Sequence, residues 1–134
     1  MHESSIILIT GTRKGIGHAL SEHYLSKGYQ VIGCSRKGAE FNTQHYQHFC
    51  LDVADEGKVK AMFSEIRKRY GRLDILVNNA GIHDSSSVLA KEAIETLRNI
   101  LETHLFGSFH CVKAALPLML EQERGDIIFI TSLS

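Results

Sequence analysis

Short apolar runs rich in β-branched residues alternate along the chain with longer stretches in which apolar side chains recur every three or four positions. Ser5 to Thr10 is a short β-branched apolar run ending at a glycine-rich turn, as a buried parallel strand reads. From Gly15 to Lys27, Ile16, Ala19, Leu20 and Tyr24 fall near helical spacing, and Gly28 stops the helix. Tyr29 to Cys34 is a second strand, 38–47 is polar and irregular, and His48 to Leu51 is a brief third strand. Asp55 to Tyr70 sets Val59, Met62, Phe63, Ile66 and Tyr70 on one helical face, closed by Gly71.

Asp74 to Val77 reads as a fourth strand and Asp126 to Thr131 as a fifth. Between them Ile94, Leu97, Leu101, Leu105, Phe109, Val112, Leu116 and Met119 predict one long helix, with a kink or a last turn at Pro117. Strand–helix alternation of this kind predicts an α/β fold: a parallel sheet with helices on both faces. With 134 residues, against roughly 150 per domain, residues 1–134 form a single domain.

Composition narrows the function classes. Fifteen Lys and Arg balance fifteen Asp and Glu, which argues against a nucleic-acid-binding module. No run approaches the ~20 apolar residues of a membrane helix, and the start lacks the basic and apolar regions of a signal peptide. Cys34, Cys50 and Cys111 are odd in number and widely spaced, so neither a disulfide framework nor a metal site is expected. A cytoplasmic protein without metal is the resulting expectation.

The sharpest chemical feature is Thr10-Gly11-Thr12-Arg13-Lys14-Gly15-Ile16-Gly17, lying between the first strand and the first helix. Gly11 allows a tight turn, and Gly15 and Gly17 would let a pyrophosphate approach the free amides of the helix N-terminus. The spacing is GxxxGxG rather than GxGxxG. Glycines punctuate many such turns, but the position directly after a buried strand raises the phosphate-binding reading above a merely structural one.

Four motifs in register make the chain resemble the short-chain dehydrogenase/reductase family: Thr10-Gly-x-x-x-Gly-x-Gly17, Asp52-Val53, Asn78-Asn79-Ala80-Gly81, and Gly125-Asp-Ile-Ile-Phe-Ile-Thr-Ser132. Together they span nearly the whole sequence. The resemblance implies a Rossmann-type, doubly wound sheet of strand order 3-2-1-4-5, truncated after the fifth strand. It also implies a nicotinamide cofactor and carbonyl/alcohol interconversion by hydride transfer. Asp52 would then bond the adenine amine with the Val53 backbone beside it, or, on a structural reading, cap the following helix. Asn79, Ala80 and Gly81 would pass close to the adenosine ribose, and Thr10 would tie the phosphate turn to them.

An acid at the end of the second strand would grip the ribose diol and repel a 2′-phosphate. In the family register this place reads Ser35-Arg36, with Lys37 next and Lys14 near the same corner. Charge complementarity therefore favours NADP(H) over NAD(H), with Arg13 in the same turn.

The family's catalytic set comprises an Asn, a Ser and the Tyr and Lys of YxxxK, the tyrosine being the acid/base. Ser132 matches the serine. His104, in Thr103-His104-Leu105-Phe106-Gly107, occupies the Asn position; an imidazole can serve a water relay, and a drifted position reads equally well. Tyr24, Tyr29, Tyr46 and Tyr70 are followed four residues on by Gly28, Gly33, Cys50 and Asp74, so none forms YxxxK. The expectation is the cofactor-binding half of an oxidoreductase acting on a small carbonyl or alcohol, weak or inactive alone. The alternative is a nucleotide-binding half-domain or sensor without catalysis. Asp84 to Ser87 would border the substrate cleft, and the apolar stripe from Leu97 to Met119 predicts a homo-oligomer through the long fourth helix.

Overall fold

The computed structural model describes residues 5–81 and 89–131. Five strands, β1 (Ile6–Thr10), β2 (Gln30–Ser35), β3 (Tyr46–Cys50), β4 (Ile75–Asn78) and β5 (Asp126–Phe129), form one sheet of order β3-β2-β1-β4-β5. Every pairing is parallel. This is the doubly wound, Rossmann-type arrangement, and the third strand begins two residues earlier than the polar character of 38–47 suggested.

The continuous apolar run of β1 is explained by its central position. Ile6 and Leu8 point to the face covered by α2 (Glu56–Tyr70) and α4 (Ser108–Gln122), where they join Val59, Met62, Ile66, Ala115 and Leu118. Ile7 and Ile9 point to the opposite face with Val31 and Val77, against Leu20, Tyr24 and Leu25 of α1 (Gly15–Ser26). Each such fully buried side chain contributes about 1.5–3 kcal/mol of hydrophobic stabilisation.

The predicted single long helix is three pieces: α3 (Ala93–Leu101), a π-helical turn (Glu102–Gly107) and α4. Gly107 packs so closely on Val53 that a Cβ there would lie 2.6 Å from its Cγ2. The wider turn therefore coincides with a close approach of the helix to the loop after β3, the kind of local adjustment that a π-turn absorbs. Apolar spacing cannot reveal it, because the stripe stays continuous through the turn. Nor does Pro117 end the helix, which runs through its exposed position to Gln122. Ile94, Leu97, Leu101, Leu105 and Phe109 are exposed, whereas Met119 is buried.

The side chain of Gln122 pins the end of α4 to the turn before β4, accepting from the Leu73 amide at 2.8 Å and donating to its carbonyl at 2.9 Å. Among the described residues no helix is long and apolar enough to cross a membrane.

Candidate cofactor site

The chain leaves β1 for β2 on one side of the sheet, while β4 lies on the other. At such a switch point the connections part and a crevice opens beyond the carboxyl ends of the strands. A cleft of about 730 Å³ lies there. The turn after β1 supplies Gly11, Arg13, Lys14 and Gly15, and the end of β2 supplies Cys34, Ser35, Arg36 and Lys37. Leu51, Asp52 and Val53 follow β3, Asn79, Ala80 and Gly81 follow β4, and Thr103 comes from the π-turn.

The turn after β1 needs its glycines. Gly11 stands at φ 74°, and its amide donates to the Cys34 carbonyl at 2.8 Å. A side chain at Gly17 would collide with the Gly11 carbonyl and lie 2.6 Å from Asn79 Nδ2, so the first turn of α1 seats tightly on the loop. The two helices that follow the turns differ at their starts. Asp55 caps α2 by accepting from the Lys58 amide at 3.1 Å, with Glu56 in the first turn. Lys14 gives α1 no side-chain cap, and no acid occupies its first turn. The positive end of α1 thus lacks an anionic complement of its own at the mouth of the cleft.

Thr10 is buried beneath the site, where its hydroxyl oxygen accepts from the amides of Asn79 (2.9 Å) and Ala80 (2.8 Å). Asn79 Nδ2 in turn donates to the carbonyls of Thr10 and Gly11, both at 3.2 Å. Among the described residues the buried Nδ2 of Asn78 has no hydrogen-bond partner. Asp52 does not cap α2, since that position is taken by Asp55. Its Oδ1 accepts from the Ala54 amide at 2.9 Å instead, so it is held in place while still lining the cleft.

The lining carries Arg13, Lys14, Arg36 and Lys37 against one carboxylate, Asp52. All four cations are exposed, and among the described residues none pairs with an acid. Where an acid would exclude a 2′-phosphate, the end of β2 presents the hydroxyl of Ser35. An uncapped helix start, a glycine turn and four cations that pair with no acid among the described residues, all around one cleft, fit a phosphate-bearing dinucleotide.

Not every sequence candidate lines this cleft. Ile16 is 58% exposed on α1, Gly17 is buried under the turn, and Thr10 acts from below. His104 is exposed on the π-turn with its imidazole against Gly81, where a Cβ would lie 2.5 Å from its Cε1. Ser132 and the Asp84–Ser87 segment lie outside the described residues. Cys34, Leu51 and Thr103 were missed. The first two sit immediately before Ser35 and Asp52, at strand ends where a parallel sheet places its ligands, and that was the available signal. Burial raises the Cys34 thiol far above its ordinary value, with the Cys111 thiol adding to the rise.

Among the described residues no group of three or more His, Cys, Asp or Glu side chains is disposed to hold a metal ion. The short chain dehydrogenase family model matches residues 5–134. L-fucose dehydrogenase from Rattus norvegicus is 31% identical over 98% of this chain, which covers 50% of that protein. The 3-oxoacyl-acyl-carrier-protein reductase FabG of Escherichia coli is 34% identical over 98% of this chain and 56% of its own length. The chain therefore spans about half the length of these curated relatives. Among solved structures, ElxO with NADP bound superposes with a TM-score of 0.89 at 33% identity, over 97% of this chain and 56% of that one. Thermoplasma acidophilum aldohexose dehydrogenase gives 0.87 at 32% identity, over 96% and 49%.

Proposed function

The chain belongs to the short chain dehydrogenase family, and from that premise we propose that it forms the nucleotide-binding half of an NADP(H)-dependent oxidoreductase acting on a small carbonyl or alcohol. The observation that carries the reading is the cleft wall itself: Arg13, Lys14, Arg36 and Lys37 converge without an acidic partner among the described residues, and Ser35 stands where an acid would repel a 2′-phosphate. The NADP held by the similar ElxO structure supports it.

In this reading Gly11, Gly15 and the first amides of α1 take the pyrophosphate, with Ile16 and Gly17 shaping that turn. Arg36 takes the 2′-phosphate beside Ser35, whose side chain carries no charge to repel it, and Lys14 adds its charge. Asp52 and Val53 meet the adenine, and Asn79, Ala80 and Gly81 flank the ribose. NADP(H), when bound, donates or accepts the hydride. His104 and Ser132 are the candidate catalytic residues of this chain: the Ser132 hydroxyl bonds the substrate oxygen and the His104 imidazole serves a proton relay. None of the four tyrosines has a lysine four positions on, so the 134 residues alone bind nucleotide with weak turnover or none. The protein is a cytoplasmic homo-oligomer in which α3 and α4 meet a second copy.

The experiment is a titration of the chain with NADPH and NADH, followed by thermal shift. Stabilisation by NADPH at concentrations where NADH has little effect is expected. Equal stabilisation by both, or preference for NADH, overturns the cofactor reading.

A further inference from the structure

A hydrogen-bonded chain of side chains runs from the glycine turn to the segment that reads the 2′-phosphate. Thr12 Oγ1 and the Tyr46 hydroxyl are 2.6 Å apart, and the Tyr46 hydroxyl lies 2.7 Å from His48 Nδ1. His48 Nε2 lies 2.9 Å from Ser35 Oγ and 3.1 Å from the Lys37 carbonyl, to which Ser35 Oγ also donates. The β2–β3 register sets Gly33 beside His48, and a side chain at Gly33 would collide with both Thr12 and Tyr46.

The directions of these bonds follow from chemistry. A carbonyl only accepts, so His48 Nε2 carries the proton, and in the neutral ring Nδ1 accepts from Tyr46. The Tyr46 proton is then committed to His48, leaving its oxygen to accept from Thr12. Ser35 commits its own proton to Lys37, leaving its oxygen to accept from His48. Each bond of the chain is satisfied by one tautomer only.

We infer that His48 is a positioning residue for cofactor selection: through Ser35 Oγ and the Lys37 carbonyl it fixes the turn that carries Arg36 and Lys37 beside the cleft. The inference rests on the NADP(H) reading above and assigns part of that preference to a residue that does not line the cleft. The same segment is braced further along by Phe41, whose ring lies tilted against Tyr46 (ring centroids 4.3 Å apart) and stacked on His18 of α1 (4.7 Å). Arg36 and Lys37 are exposed cations on long side chains, so the backbone beneath them must be fixed if their charges are to discriminate one phosphate.

The test compares His48→Leu, which removes both ring nitrogens, with His48→Gln, whose amide can donate from near the Nε2 position. Arg36→Ala serves as the reference, and Kd for NADPH and for NADH is measured on the full-length protein. His48→Leu is expected to lower the NADPH-over-NADH affinity ratio about tenfold, which corresponds to about 1.4 kcal/mol, and His48→Gln to recover most of it. If His48→Leu weakens both nucleotides equally, or neither, while Arg36→Ala still lowers the ratio, the positioning role is wrong and the cofactor reading stands. If the parent protein shows no preference for NADPH, the cofactor reading fails and the inference with it. Should His48→Leu not fold, Tyr46→Phe removes the hydroxyl that orients the ring. An unchanged ratio in that variant overturns the role in the same way.

Discussion

Asn79 grips Thr10 from both ends: its amide donates to the Thr10 hydroxyl at 2.9 Å, and its side-chain Nδ2 donates to the Thr10 carbonyl at 3.2 Å. The carboxyl ends of β1 and β4 are therefore locked to each other where the cleft opens. Because the same hydroxyl also accepts from Ala80, removing it leaves two amides in need of an acceptor at a site that is 1% exposed. Thr10→Val, which keeps the shape and deletes the oxygen, is expected to destabilise the fold by about 2–3 kcal/mol in denaturant unfolding. Thr10→Ser restores the acceptor and should recover most of the loss. A valine variant as stable as the parent would show that these amides find another partner.

The charge argument at the end of β2 predicts a reversal of preference. Ser35→Asp places a carboxylate beside Arg36 and Lys37, repelling a 2′-phosphate and offering a partner to a free ribose diol. One charge-assisted contact is worth about 1.5–3 kcal/mol. The NADPH-over-NADH affinity ratio should accordingly fall by a factor between about ten and one hundred in paired titrations. An unchanged ratio would mean that the 2′-phosphate is not read at this corner.

How much of this was legible beforehand depends on the range of the interaction. The central strand and the cleft-forming turns announce themselves locally, through the apolar run of Ile6 to Ile9, the glycines after Thr10 and the Asn78–Gly81 turn, whereas the strand order came with the family resemblance. The grip of Asn79 on Thr10 joins positions 69 residues apart, and the Tyr46–His48 chain depends on a β2–β3 register that no local pattern encodes. Tyr46 falls in a stretch that reads as irregular and polar. Its strand identity comes from its parallel partner Val31. The π-turn at Glu102–Gly107 is hidden for another reason, since widening one helical turn leaves the apolar periodicity nearly intact. Asp55 rather than Asp52 caps α2, because it stands directly before the first helical residue and Asp52 lies three positions further back.

The thiols are predicted to separate into two classes. Cys50 is exposed, whereas Cys34 and Cys111 are buried, and burial pushes the Cys111 thiol up to about 12. A thiolate-selective reagent at mildly alkaline pH should label one thiol quickly and the other two only on unfolding. The linkage has a definite sign. A thiol whose folded pKa is raised holds its proton more tightly when folded, so its contribution is complete below the ordinary value of 9.0 and is lost as pH rises toward about 12. Denaturation midpoints should therefore decline above pH 9, and Cys111→Ala should flatten part of that decline. Rapid labelling of more than one thiol in the folded chain would contradict the burial on which this rests.

The apolar face along α3, the π-turn and α4 carries the last prediction. Leu97, Leu105 and Phe109 are 52%, 59% and 59% exposed, and Ile128 and Phe129 of the edge strand β5 are 41% and 53% exposed. Single exposed apolar side chains are ordinary, but a monomer rarely presents a contiguous apolar patch beyond about 600 Å². The exposed helix stripe and the exposed edge strand are two association-prone features of one chain, the edge because it also offers unpaired backbone donors and acceptors. The 134-residue chain should consequently self-associate in light scattering as concentration rises. Leu105→Lys combined with Phe109→Lys should shift it toward monomer while leaving the NADPH-induced thermal shift in place, since neither side chain lines the cleft. A parent chain that stays monomeric across the accessible concentration range would show that this face is tolerated in water, and the homo-oligomer proposed through it would then lose its support.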